Sequence, residues 1–378
     1  MNKMKKINAS QYTMGIALVS IWLLMTILTH GIFITFRNLS NLFLQTATTA
    51  VLACGMVLIL VSGNIDLSVG SLSGLCGGVA AILMARAHWA TTPVILATLA
   101  VGLAAGIWHG FWIAFRKVPA LIVTLSSMLV FRGIVIGITG GCTIGPTNDS
   151  FKVIGQGYLP PWAGYLITAL VLAAIAYCEI RKWIVRRQHG LTNGSRWMLI
   201  GKLALLLLCT FAFFLIMLSY RGISVAMIFV LVLAVILDYI GEHTAFGRHI
   251  YAIGGNSDAA RFSGINIRKT IFALYAGMGA ITALAGIIFT ARLNSGSPAA
   301  GVNFEMDAIA SAVIGGTSTV GGEGRIFGAL IGALVMTSID NGMSLLNLDV
   351  TFQYIIKGLV LLFAVAIDVQ NRAKSQAV

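Results

Sequence analysis

Long apolar runs without a single charge dictate what this chain can become. No Asp, Glu, Lys or Arg occurs between Lys6 and Arg37, Arg37 and Asp66, Arg86 and Arg116, Lys152 and Glu179, or Lys269 and Arg292. A helix needs about 20 predominantly apolar residues to cross a hydrocarbon core of ~30 Å, and each of these intervals supplies them. Of the 378 residues, 58% are hydrophobic and 10% charged, too few charges to cover a soluble domain of this size. The expected fold is all-α: one polytopic transmembrane bundle over residues 1–378 with about 12 spans, ten at the fewest. They are placed at 13–35, 42–62, 67–85, 93–115, 119–139, 162–180, 197–218, 222–240, 271–291, 306–320, 326–345 and 351–368. The polar stretches near 140–161 and 241–270 are loops, so no soluble catalytic domain fits.

A formal charge of +13 would suit a nucleic-acid partner if the basic residues shared one face of a folded domain. Here they punctuate the apolar runs, which excludes that class. With the amino terminus inside, alternating spans put 18 of the 25 Lys and Arg on the cytoplasmic side, including the basic connector from Arg181 to Arg196, and five outside. Arg132 and Lys357 fall within spans. This bias predicts that both termini are cytoplasmic. The five cysteines lack metal-ligand spacing and read as small apolar side chains. No small-x-small cleavage site follows the first apolar run, so an uncleaved first span is expected.

Two glycine-rich clusters interrupt the helical pattern. Ser62 to Ser71 breaks an apolar stretch, and Gly315 to Gly324 ends a segment of about 15 residues, ~22 Å as a helix and too short to cross alone. Either both are turns joining ordinary spans, or both are non-helical backbone at membrane depth, a pointer to a transport path. On the second reading Asn64, Asp66, Ser68, Thr317, Ser318 and Thr319 line the pathway or brace its gate. Asp66 alternatively serves as an N-cap for Leu67 to Val69. Arg132 needs an acidic or carbonyl partner. Asp340 and Lys357 fall roughly 8 to 9 Å below the same surface on neighbouring antiparallel spans, which predicts a structural ion pair; the alternative is that Lys357 snorkels to the headgroups. Gly102, Gly106 and Gly110, like Gly328 and Gly332, form smooth stripes for close helix packing, internal or between copies. The tryptophans gather toward span ends as an aromatic belt, or else stack on a ligand.

The loop at 241–270 carries a compact helix signal. Asn256 or Ser257 can cap it, Asp258 suits its first turn, Arg261 its end, and Gly264 its exit. Such a helix either transmits a push from a partner or lies on the headgroups.

GMVLILVSGNIDLSVGS (55–71), GRHIYAIGGNSDAARFSGINIRKT (247–270) and DAIASAVIGGTSTVGGEGRIFGALIGAL (307–334) resemble three signature stretches of the permease subunits of bacterial ribose- and xylose-type ABC sugar importers. The likeness runs in order from 40 to 370, and the basic stretch and flanking spans at about 165–220 resemble the xylose branch. The resemblance implies an inner-membrane permease for a pentose, as a pair of copies with two ATPase subunits and a periplasmic sugar-binding protein. It implies that 241–270 is the coupling loop, with Gly255, Asn256, Ser257, Asp258, Arg261 and Gly264 at the ATPase.

What the chain lacks fits this reading. There is no phosphate-binding loop: the only Gly-Lys pair, Gly201-Lys202, has Arg196 where the first glycine belongs. ATP is therefore expected on a partner subunit, with no cofactor or metal held by this chain. An ion-coupled secondary sugar transporter is the runner-up, drawing on intramembrane acids such as Asp66, Asp238 and Asp340. An enzyme would need a converging nucleophile and base or metal ligands; the six histidines lie near span ends or in loops, and no catalytic residue is expected.

Overall fold

Each apolar interval becomes a helix, while the polar stretches near 140–161 and 241–270, expected as loops, hold short helices of their own. A computed structural model describes residues 3–188 and 196–376. Residues 189–195 of the basic connector, with His189, and the side chains of Trp197 and Cys209 lie outside the described set. The helices are α1 (Lys3–Leu28), α2 (Phe36–Val61), α3 (Val69–Ala85), α4 (Thr91–Gly110, continued by a π-helical turn Phe111–Phe115), α5 (Ala120–Thr139), α6 (Asp149–Gln156), α7 (Pro161–Gln188) and α8 (Arg196–Leu218). They continue as α9 (Val225–His243), α10 (Ala245–Gly255), α11 (Ser257–Phe262), α12 (Ile267–Leu293), α13 (Phe304–Ile314), α14 (Ile326–Leu345) and α15 (Val350–Gln376).

Among the described residues, 9 helices are long and apolar enough to cross a membrane. Three of the expected spans fall short of that length. The apolar parts of α1 and α3 are Met14–Leu28 and Val69–Ala85. The span expected at 306–320 shrinks to the 11 residues of α13, because Gly315 and Gly316 turn the chain out of helix. At ~1.5 Å per residue α13 reaches about half-way across the core.

The ends follow local chemistry. Ser224 and Thr244 accept N–H groups of Met227 and Gly247 at the starts of α9 and α10, and Gly140 closes α5 in the left-handed conformation. Loops 62–68, 116–119, 241–266 and 315–325 gather at one end of the bundle, and the loops after α1, α3, α5, α8, α12 and α14 at the other. At this second end Ile144 bridges Gly296, Tyr158 bridges Ser224, and Thr147 bonds Asn294.

α2 is the central helix, packed against α9, α12, α13 and α14. The glycine stripes are internal seams. Gly102 and Gly106 of α4 lie on the backbone of Gly279 and Tyr275 in α12, so closely that a Cβ would overlap carbonyl oxygens; Gly328 and Gly332 of α14 meet Gly315 and Ser311 in the same way. Trp89, Trp108 and Trp162 are exposed, as an aromatic belt requires, whereas Trp22 points inward and donates to Ser338 Oγ at 3.0 Å.

Candidate translocation and coupling site

Five residues after the end of α2 the chain has still not re-entered helix. Ser62 bonds back to Ile59 O at 2.7 Å, Gly63 takes φ +78°, and Asn64 Nδ2 donates to Ser62 Oγ at 2.9 Å. Asp66 is buried, and its Oδ1 accepts both the Ser68 N–H at 2.8 Å and the Ser68 hydroxyl at 2.7 Å. The N-cap reading of Asp66 is thereby corrected. α3 starts only at Val69, with Ser68 before it, and Asp66 closes a turn ahead of the helix rather than capping its N–H groups.

The second break runs from Gly315 to Arg325 and is organised by Ser318. Its N–H donates to Glu323 O at 2.8 Å, and its hydroxyl accepts the N–H groups of Val320 and Gly321, each at 3.1 Å. Thr317 and Ser318 are fully buried, while Thr319 reaches Asp368 at 3.4 Å.

The two breaks, unlike in sequence, touch in space. Gly322 N–H donates to Val61 O at 2.8 Å, completing the carboxyl end of α2 with backbone from the other break. The end of α10 joins them. A Cβ on Gly254 would collide with Val61 O, one on Gly321 would sit 2.8 Å from Gly254 O, and Tyr251 donates its hydroxyl to Gly324 O at 2.8 Å. Burial, with Glu242 and Asp238 nearby, pushes the Tyr251 phenol above its ordinary value, which keeps it a donor.

The loop expected to hold one short helix holds two. α10 ends at Gly255, and Asn256 caps α11 by accepting the Ala259 N–H at 2.9 Å. Ser257 opens α11, Asp258 lies in its first turn, and Arg261 in its last stacks 5.4 Å from the Phe262 ring. Gly264 then turns the chain at φ +84°, and Asn266 caps α12 through the Lys269 N–H at 3.1 Å. Phe262 was not singled out from sequence. It is 82% exposed, an aromatic ring that the rest of the chain does not cover, at the end of a capped helix. The signal was available: one large apolar residue on a helix too short to bury it.

Two clefts flank the junction. One of about 940 Å³ is lined by Asn64, Lys117, Gly255, Asn256, Ser257 and Arg261. The other, about 1190 Å³, is lined by charged groups including Asp238, Glu242, Arg248 and Arg325. Of the six pathway candidates, Asn64 lines one of these two clefts and the other five line neither. Asp66, Ser68, Thr317 and Ser318 are buried. Close to Asp66, inside the bundle, lie His109 and Tyr275, whose rings meet edge-on at 6.2 Å. His109 was expected near a span end. It is buried, with Phe131 of α5 on one side and Tyr275 of α12 on the other.

Toward the other end, Lys357 Nζ lies 2.8 Å from Asp340 Oδ2 and 3.0 Å from Asp307 Oδ2. The heads of the expected pair are therefore together, with a third member on α13. Asp307 was overlooked because a span starting at 306 would leave it at the surface. Arg132 finds carbonyls, donating to Pro298 O at 2.7 Å and Ala300 O at 2.8 Å. One ammonium between the buried carboxylate of Asp307 and the half-buried one of Asp340 fastens three helices at a depth where an isolated charge is costly.

Residues 38–365 match the family described as branched-chain amino acid transport system / permease component. The xylose transport system permease protein XylH of Escherichia coli (strain K12) is 44% identical over 372 residues, 98% of this chain and 95% of that protein. Its namesake from Haemophilus influenzae (strain Rd) is 45% identical over 374 residues, 99% of this chain and 100% of that protein. The ribose import permease protein RbsC of E. coli (strain K12) is 36% identical over 336 residues, 89% of this chain and 87% of that protein. No solved structure matches significantly. With interrupted spans, a capped loop helix joined to both interruptions, and likeness along nearly its whole length, the chain belongs to this family of ABC transporter permease components, multi-pass translocation subunits of the membrane that catalyse no reaction themselves.

Proposed function

We propose that this chain passes a pentose, D-xylose, unchanged across the bacterial inner membrane into the cytoplasm, as the permease of a binding-protein-dependent ABC importer. Two copies pair with two ATPase subunits, which use the ATP, and a periplasmic binding protein delivers the sugar; this chain binds no cofactor. The choice of sugar rests on the xylose permeases, alike over almost their full length.

The observation that carries the mechanism is the three-way backbone junction of Val61, Gly254 and Gly322. A push on α11 passes through α10 to both breaks at once, because no side chain intervenes to absorb it. Asp258, Arg261 and the exposed Phe262 meet the ATPase, and Gly264 lets α11 turn back into α12. Asn64 lines the inner mouth of the path, while Asp66, Ser68, Thr317, Ser318 and Thr319 brace the gate. In this reading the domain crosses twelve times if α1, α3 and the half-span α13 are included, the 241–270 loop is cytoplasmic, and so are both termini.

The acid-rich cluster of Asp307, Asp340 and Lys357 is the feature that favours the competing reading, an ion-coupled sugar transporter. One experiment separates the two. With the purified ATPase and sugar-loaded binding protein in proteoliposomes, ATP hydrolysis should rise and xylose uptake should survive ionophores. Uptake without ATP that ionophores abolish would overturn the proposal. For sidedness, a cysteine replacing Arg187 should react with an impermeant reagent only after the inner membrane is opened, and one replacing Asn148 should react in intact spheroplasts; the reverse pattern would refute cytoplasmic termini.

A further inference from the structure

The hairpin of α7 and α8 stands apart from the bundle. Of the most apolar window of each, 11% is buried in α7 and 6% in α8. Near the inner end of α7 its surface carries a groove of about 380 Å³ lined by Tyr177, Cys178, Arg181, Lys182 and Val185. These positions recur at helical spacing, so they form one stripe. Its walls are apolar and its rim is basic.

Depth fixes what such a groove meets. α7 starts at Pro161 on the opposite side. At ~1.5 Å per residue, Tyr177 lies roughly 24 Å and Arg181 roughly 30 Å along it, so the stripe straddles the far boundary of a ~30 Å core. The nearby acid is already engaged. Glu179 turns away to Lys202, at 2.5 Å, with Lys182 at 3.5 Å. Arg187 stacks on Trp183 at 5.2 Å. Arg181 has no acidic or hydrogen-bonding partner among the described residues. An unneutralised guanidinium at headgroup height, above an apolar slot at acyl-chain height, is complementary to one class of molecule.

We propose that this groove is a binding site for an anionic phospholipid, with the phosphate on Arg181 and Lys182 and an acyl chain along Tyr177, Cys178 and Val185. The lipid fills a groove that no other part of the described chain covers.

Cys178 reports on the groove directly. In the full-length chain with Cys142→Ser and Cys209→Ala, reconstituted in vesicles, its alkylation by a lipophilic maleimide should be slower in equal parts phosphatidylglycerol and phosphatidylcholine than in phosphatidylcholine alone. Two basic residues near an anionic headgroup predict an effect on the order of tenfold. In native mass spectrometry phosphatidylglycerol should stay bound to the wild type. Arg181→Gln with Lys182→Gln should lose both effects, and the charge-keeping Arg181→Lys with Lys182→Arg should retain protection. Equal alkylation in the two lipids, or unchanged lipid retention in the glutamine variant, would overturn the proposal. So would efficient disulfide cross-linking of Cys178 between two copies, which would assign the groove to the partner permease.

Discussion

α2 and α8 are equally fit to cross a membrane, yet they sit in opposite environments: the apolar window of α2 has hydropathy 2.0 and is 83% buried, and that of α8 has hydropathy 2.5 and is 6% buried. The more hydrophobic helix is the exposed one. Lipid tails solvate leucine as well as a protein interior does, so hydrophobicity does not sort helices inside a bilayer. What sorts them is fit and polarity. α2 carries Ala47, Ala50, Ala53 and Gly55 for close approach, and Asn38, which donates to Asn341 Oδ1 at 2.8 Å. α8 is nearly half leucine and phenylalanine and, among the described residues, packs on α7 and meets α2 at a few points such as Phe213 on Phe43.

The comparison breaks first where backbones touch. Gly106→Leu forces a side chain into the α4–α12 seam against Tyr275 and Ala276 backbone, which cannot yield. It should cost roughly 3 kcal/mol or more and reduce folded yield in detergent to a small fraction, read by fluorescence-detected size exclusion.

Removing Lys357 comes next. Lys357→Met leaves Asp307 and Asp340 facing each other and should cost roughly 3 kcal/mol. Asp340→Asn should cost less, because Lys357 keeps Asp307. The double variant should be more stable than Lys357→Met alone in thermal-shift measurements; strict additivity would mean that the groups act independently.

A third change separates packing from coupling. Phe262→Ala should leave thermal stability intact, since the chain leaves the ring uncovered, while weakening docking of the ATPase by on the order of 2 kcal/mol. Sugar-stimulated ATP hydrolysis should fall, with normal membrane insertion. Replacing Gly264, or Asp258 together with Arg261, should lower the same activity.

The smallest effect is expected in α8. Leu208→Ala, at a side chain 65% exposed, should change stability by less than about 0.5 kcal/mol. The same substitution at the buried Leu52 of α2 opens a cavity and should cost roughly 2 kcal/mol or more. Equal losses at the two sites would contradict the sorting rule.

By itself the sequence determined the long helices and the height of most groups along them, but it left Asp307 and His109 too near the surface and read α6 as loop. Charge-free runs marked the spans, glycine clusters the breaks, and Asn256 and Gly264 the limits of the loop helix, all from local backbone chemistry. Helical rise alone put Asp340 and Lys357 at one depth. Tertiary structure decided azimuth, the neighbour each helix face meets. It brought Asp307 to Lys357, closed the two breaks on each other through Gly254, buried Thr317 and Ser318, and left α7 and α8 to lipid. The physical reason is that depth follows from distance along one helix, whereas neighbours are chosen by close backbone packing and polar pairing between residues far apart in the chain.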